Sequence, residues 1–310
     1  MTQQNLGFIF PGQGSQQIGM LSDLAAEHSL IKATFGEASD VLGYDLWDLV
    51  QNGEAEAINQ TEVTQPLLLT ASVSLWRLWE EQQGASPAIM AGHSLGEWSA
   101  LVCADVIAFK DGVAMVRNRG KYMQSAVPKG EGAMAAIIGL DDDVILEACT
   151  SAAQGDVVNA VNFNSTGQIV IAGSAAAVDR AIQLCTDAGA RRAMLLPLSA
   201  PFHTSLMQPA ADHLAKDLAG IEFRTPSIPL IHNVTVDSES NPDKIRELMI
   251  EQITAPVPWV ATVQKLKTMG IESLVECGPG KVLAGLNKRI DREITTKNID
   301  TTDSFAAANT

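Results

Sequence analysis

Residues 91–100 read AGHSLGEWSA, and the fold turns on whether Ser94 stands in a sharp turn between a strand and a helix. Gly92, Ser94 and Gly96 make G-x-S-x-G, the spacing of a nucleophile elbow. At this glycine content the pattern arises by chance in about one chain in eight of this length, so its context has to carry the reading. Ser86-Pro87 leads into the apolar run 88–91, which reads as a strand. Leu95, Trp98, Leu101 and Val102 then recur at helical spacing. Strand, turn and helix together are what an elbow requires. The turn exposes the hydroxyl and aims the first backbone N–H groups of the helix at a reacting carbonyl.

Working outward, residues 6–10 read as a buried strand cut by Pro11-Gly12, and a helix is expected over 21–42. Thr64 is placed to cap a helix that carries Pro66 in its first turn and ends at Gly84. Leu68, Ala71, Leu75, Leu78 and Trp79 give that helix its apolar face. Between 130 and 198 the strands AMAAIIGL, VVNAVNF, QIVIAGS and RRAMLLPL alternate with the helices DDDVILEACTSAA and AAAVDRAIQLCTDAGA. Their order, βαββαβ, is the ferredoxin-like split motif. The expected fold class is therefore α/β, with residues 130–198 inserted as a small domain into a larger one made of 1–129 and 199–310. In the second part of the larger domain SIPLIHNVTV and ESLVECG read as strands, and DKIRELMIEQI, VATVQKLKTMG and the stretch after GPG as helices. Beyond Arg292 the polar, Thr/Ala-rich sequence reads as a mobile tail.

The bulk numbers narrow the function. The 310 residues are 46% hydrophobic and 18% charged, enough for a real core. A formal net charge of −15 argues against binding nucleic acid or an anionic membrane, which calls for a basic face. Cys103, Cys149, Cys185 and Cys277 are scattered, with no C-x-x-C, as suits reduced cytoplasmic thiols. The opening MTQQNLGFIFPGQG lacks the basic start of a signal peptide, and no apolar run approaches the ~18 residues of a membrane span. Gly12-Gln13-Gly14 lacks the third glycine of a dinucleotide fingerprint, Gln17 standing there. Gly280-Lys281 fails as a P-loop at Val275 and Val282. No H-E-x-x-H or Cys/His cluster suggests a metal.

An elbow serine needs a base. Among five histidines, His28 and His213 lie in polar helical stretches, and His93 adjoins Ser94 but points elsewhere on a sharply turning chain. His232, near a strand end, and His203, in LSAPFHTSL at the domain junction, are the candidates. Position alone leaves both open, together with a purely structural role. Arg119 lies three residues after Val116 and four before Met123, on the apolar stripe of its helix. A core-facing guanidinium needs an anion: an internal Asp or Glu, or the carboxylate of a substrate held bidentately.

FPGQGSQ at 10–16, GHSLGE at 92–97, RGKYMQ at 119–124, PFH at 201–203 and GPGKVL at 278–283, in this order, resemble the malonyl-CoA:acyl carrier protein transacylases of bacterial fatty acid synthesis. The resemblance runs from about residue 6 to 289. It implies an α/β-hydrolase-like core with the ferredoxin-like unit inserted. It implies Ser94 as nucleophile and His203 as base, with no catalytic acid, the histidine being steadied by the main-chain carbonyl of Gln252. The backbone N–H groups of Leu95 and Gln13 would form the oxyanion hole, and Arg119 would receive the malonyl carboxylate. Leu95 and Phe202 resemble malonyl-selective rather than methylmalonyl-selective relatives. No metal or cofactor is implied: the acyl donor is malonyl-CoA, and phosphopantetheine comes on the acyl carrier protein. The expected enzyme is a cytoplasmic monomer. Because carrier proteins are acidic, a local basic patch is expected near the cleft, from Arg191, Arg192, Lys281, Lys288 and Arg289. The rival readings are a serine hydrolase with an acid between serine and histidine in chain order, a non-catalytic binding module, and the same transfer in a polyketide pathway.

Overall fold

Alternation along the first strand explains the layering. In β1 (Thr2–Phe10), Phe8 and Phe10 enter one core and Ile9 another, as the two-residue period of a strand demands. The computed structural model describes residues 2–198 and 200–309. A helical crossover ending in the helix Thr61–Glu81 leads to β2 (Ser86–Gly92), which lies parallel to β1. That helix is buried on almost every side, because Trp76 and Trp79 meet Phe8 of the sheet while its other sides pack on the helices Ser29–Leu42 and Phe109–Ser125.

The chain then builds a second unit. β3 (Gly132–Ile138), the helix Asp142–Ala153, β4 (Val158–Ser165), β5 (Gln168–Ser174), the helix Ala175–Asp187 and β6 (Arg192–Leu195) follow in the expected βαββαβ order. Their sheet is antiparallel with strand order β4-β5-β3-β6. Ile169 and Ile171 face the unit's own helices, whereas Val170 and Ala172 join the main core. Both faces of β5 are thus covered, which is why QIVIAG is apolar without interruption. Val257 ties the two units together: its N–H donates to Val161 O at 2.7 Å, and its carbonyl accepts from Phe163 N at 3.0 Å.

The first sheet is completed by β7 (Leu230–Ile231), β8 (Ser273–Glu276) and β9 (Thr295–Asn298), in the order β7-β2-β1-β8-β9 with every neighbouring pair parallel. The fold is mixed α/β: one parallel sheet with helices on both faces and one small antiparallel sheet. No helix among the described residues is long and apolar enough to cross a membrane.

Four local expectations need correction. The helix over 21–42 is two helices, Ser22–Glu27 and Ser29–Leu42, parted where His28 turns extended. The next long helix begins at Thr61 rather than after Thr64. The Thr64 hydroxyl bonds back to the carbonyls of Ile58 and Gln60, and Pro66 sits inside the helix. The strand expected in SIPLIHNVTV stops at Ile231, because the next N–H groups leave the sheet: His232 N bonds Asp237 O and Asn233 N bonds the Glu97 carboxylate. The sequence beyond Arg292 is not a mobile tail. It supplies β9 and the helix Thr302–Ala308, which starts in a Thr301/Ser304 capping box and lays Phe305 edge-on against Trp79. Ser199, where the sequence places the return to the larger unit, lies outside the described residues.

Candidate active site

β1 and β2 are neighbours in register, Phe10 beside Gly92, so the loops at their carboxyl ends meet. After Gly92 the chain turns within two residues into the helix Leu95–Cys103. The two elbow glycines are demanded by space. A Cβ on Gly92 would lie 2.0 Å from Gly96 C, and one on Gly96 would lie 1.9 Å from Phe10 O. Ser94 itself has φ 51° and ψ −103°, a conformation an L-residue adopts only when its surroundings impose it. Asn233 does part of this: its Oδ1 accepts from Ser94 N at 2.9 Å and its Nδ2 donates to Gly92 O at 2.7 Å.

His203, also at positive φ (62°), brings Nε2 to 2.8 Å from Ser94 Oγ. Its Nδ1 faces two main-chain carbonyls, Gln252 O and Ala255 O, each at 3.0 Å. Carbonyls only accept, so Nδ1 carries the proton and the Nε2 lone pair faces the serine hydroxyl. Burial first, and the Arg119 cation second, lower the His203 pKa to about 3, so the ring is a neutral base.

Arg119 is 1% exposed. It donates through one terminal nitrogen to Gln65 Oε1 at 2.9 Å, and through the other to Gln252 Oε1 at 2.9 Å and Ser94 Oγ at 3.1 Å. Its neighbours are thus neutral oxygens rather than a directly paired carboxylate. Burial lowers its pKa to about 10, opposed by the nearby Glu97 carboxylate; at neutral pH it stays a cation. Ser94, His203, Arg119, Gln13, Leu95 and Phe202 all line one cleft of about 780 Å³. Leu95 is the first residue of its helix, so its N–H has no acceptor within the helix.

Among the described residues no other histidine bonds Ser94, although His93 lines the same cleft. His93 bonds Asn164 through Nε2, and His232 is fully buried behind the elbow with Nδ1 on Glu97. His213 stacks on Tyr122 at the surface. Among the described residues no group of three or more His, Cys, Asp or Glu could hold a metal ion. Sequence reasoning passed over Glu97, Asn233 and Gln65, which all bond residues of the site. Glu97 lay within the quoted GHSLGE, but a first-turn acid reads as an exposed helix-dipole partner until its burial is known.

A strained serine, a neutral histidine and a buried cation in one cleft define an acyl-transfer class of protein. In agreement, the model of the acyl transferase domain matches residues 7–299, and the chain belongs to that family. Its full-length relatives there carry a more particular name. Malonyl CoA-acyl carrier protein transacylase of Escherichia coli (strain K12) is 56% identical over 308 residues, 99% of each chain. The crystal structure of an acyl carrier protein S-malonyltransferase from Vibrio cholerae superposes with TM-score 0.96 at 54% identity, over 98% of this chain and 99% of that one. A type II polyketide acyl-carrier protein in complex with its malonyl-transacylase matches with TM-score 0.97 at 52% identity, over 98% and 99%.

Proposed function

We propose that the protein is a malonyl-CoA:acyl carrier protein S-malonyltransferase working by ping-pong acyl transfer in fatty acid synthesis. The observation that carries this reading is the shared oxygen: Ser94 Oγ lies 2.8 Å from a neutral His203 and 3.1 Å from Arg119. His203 takes the Ser94 proton as Oγ bonds to the thioester carbon. The resulting oxyanion is held by the N–H groups of Leu95 and Gln13. The C–S bond then breaks, and the CoA thiolate leaves with the proton from His203. The malonyl ester stays on Ser94 with its carboxylate on Arg119, and Phe202 crowds the α-carbon against a methyl branch. The phosphopantetheine thiol of the carrier protein gives its proton to His203 and attacks the ester; the C–Oγ bond breaks, the acyl group passes to sulfur, and Ser94 Oγ takes the proton back from His203.

Main-chain carbonyls rather than a carboxylate stand behind His203, which supports transfer over the Ser-His-acid hydrolase reading. The fold reading that goes with it is an α/β-hydrolase-like core (1–129, 199–310) with a ferredoxin-like insert (130–198). The enzyme works as a cytoplasmic monomer without a cofactor. A second acceptor, the carrier protein of a polyketide pathway, is motivated by the likeness to the polyketide complex. Intact mass after exposure to malonyl-CoA tests the mechanism. Wild type should gain one malonyl group, lost on adding carrier protein, and Ser94→Ala should gain none. Steady CoA release without carrier protein would instead mean hydrolysis.

A further inference from the structure

Glu97 is a carboxylate 1% exposed, one helical turn from Ser94, and the acyl-transfer steps do not use it. Both its oxygens are occupied. Oε1 accepts from His232 Nδ1 at 2.8 Å, and Oε2 accepts from Asn233 N at 3.1 Å and from Gln252 Nε2 at 2.6 Å. Two of these donors hold the nucleophile's backbone: Asn233 grips Ser94 N, and Gln252 Nε2 also donates to Ser94 O at 3.0 Å.

A carboxylate can only accept, so Gln252 must turn its NH₂ toward Glu97. Its Oε1 is then left for Arg119, 2.9 Å away. The reversed amide would set oxygen against the carboxylate and NH₂ against the guanidinium. The Gln252 amide is therefore locked between two opposite buried charges, with its dipole aligned along the line joining them. Buried charges without a counter-charge are costly, and here the anion reaches the cation through one polar group.

We infer that Glu97 is the buried counter-charge of Arg119, relayed by the Gln252 amide, and that its negative charge limits how tightly the site holds an acyl carboxylate. This rests on the malonyl-transfer reading above. In the empty site Arg119 and Glu97 balance. When a malonyl carboxylate arrives, two anions share one cation and Glu97 weakens the hold. Such weakening suits a site that must pass its acyl group on, because binding spent on the bound ground state does not lower the barrier to the next step. Glu97 is thus a positioning residue that acts on substrate through Gln252 and Arg119.

Glu97→Gln removes the charge while keeping the shape. The new amide's carbonyl can accept from Asn233 and Gln252, and its NH₂ can meet His232 Nδ1 once that ring carries its proton on Nε2. The acylation half-reaction is measured with malonyl-CoA and with acetyl-CoA, separating KM from kcat. The expected result is a malonyl-CoA KM about tenfold lower, the equivalent of one pKa unit of charge interaction, with acetyl-CoA KM unchanged. Equal changes for both donors would mean a merely structural role, and a rise in malonyl KM alone would mean that Glu97 supports the clamp; either overturns the inference. If Glu97→Gln does not fold, Glu97→Asp decides. It draws the charge back from Gln252 by one methylene, so a smaller fall of the same sign is expected, and no change or a rise overturns the idea. A wild type that forms no malonyl-Ser94 adduct would instead defeat the parent reading.

Discussion

Ser94 and His203 both hold positive φ without being glycine, and each is pinned by hydrogen bonds from distant segments. Arg119 shares their cleft, and under the proposed malonyl transfer it bears on both substrate choice and pH dependence. Arg119→Ala should cut malonyl transfer about a hundredfold more than acetyl transfer, since only malonyl offers a carboxylate; equal losses would count against the clamp. The sign of the pH effect follows from the lowered His203 pKa. The cation disfavours protonation of the ring, so removing it raises that pKa, and burial relieved by the smaller side chain acts in the same direction. The acidic limb of acetyl-group transfer should therefore move to higher pH in Arg119→Ala; a limb that stays or moves down would contradict this electrostatic picture. At this scale Ser94 was legible from local spacing, and the inward face of Arg119 from helical period. Asn233 and Glu97 were not: Asn233 lies in a turn with no period to read, and Glu97 stands off the apolar stripe of a helix whose every residue is buried. The burial of Glu97 comes from segments more than a hundred residues away folding over it.

The elbow works as an element only if helix Leu95–Cys103 starts against the end of β1. Gly96→Ala would drive a Cβ onto the Phe10 carbonyl, a backbone atom that cannot swing aside. We expect a loss of about 2–4 kcal/mol or outright failure to fold, read by denaturant unfolding. Gly36 is the control: it lies inside the helix Ser29–Leu42 with nothing within 4 Å of its Cβ direction. Gly36→Ala should stabilise by up to about 1 kcal/mol through helix propensity; a Gly96→Ala protein as stable as this control would refute the close-packing account. Strands covered on both faces were readable as apolar runs. The edge strand β9 and the last helix were not: they are mostly polar, and the buried side chains that dock them, Ile294, Ile299 and Phe305, are too sparse to make a pattern. Thr64 misled in the same way, because its hydroxyl bonds backward into the preceding turn rather than forward as a cap.

For the whole molecule, a net charge of −15 opposes an acidic carrier protein at long range, so docking calls for a local exception. Arg191, Arg192, Lys281, Lys288 and Arg289 are all exposed, and Arg289 bonds Gln168, which lines the cleft. Neutralising these five should raise KM for carrier protein and leave the CoA half-reaction unchanged; an unmoved KM would sink the patch. The βαββαβ order of residues 130–198, the elbow and the acyl-transfer family were all present in the sequence, because periodicity and short motifs are local properties of a chain. Position in the chain left His203 and His232 both open, and only the family resemblance pointed to His203 and the Gln252 carbonyl; tertiary structure alone brought in Ala255 O and decided what stands behind Arg119. These depend on the ends of β2 and β7, which carry residues 94 and 233, meeting the helices and loops that carry 119, 203 and 252, and contacts between segments so far apart in the chain are set by packing and by the need to pair buried polar groups.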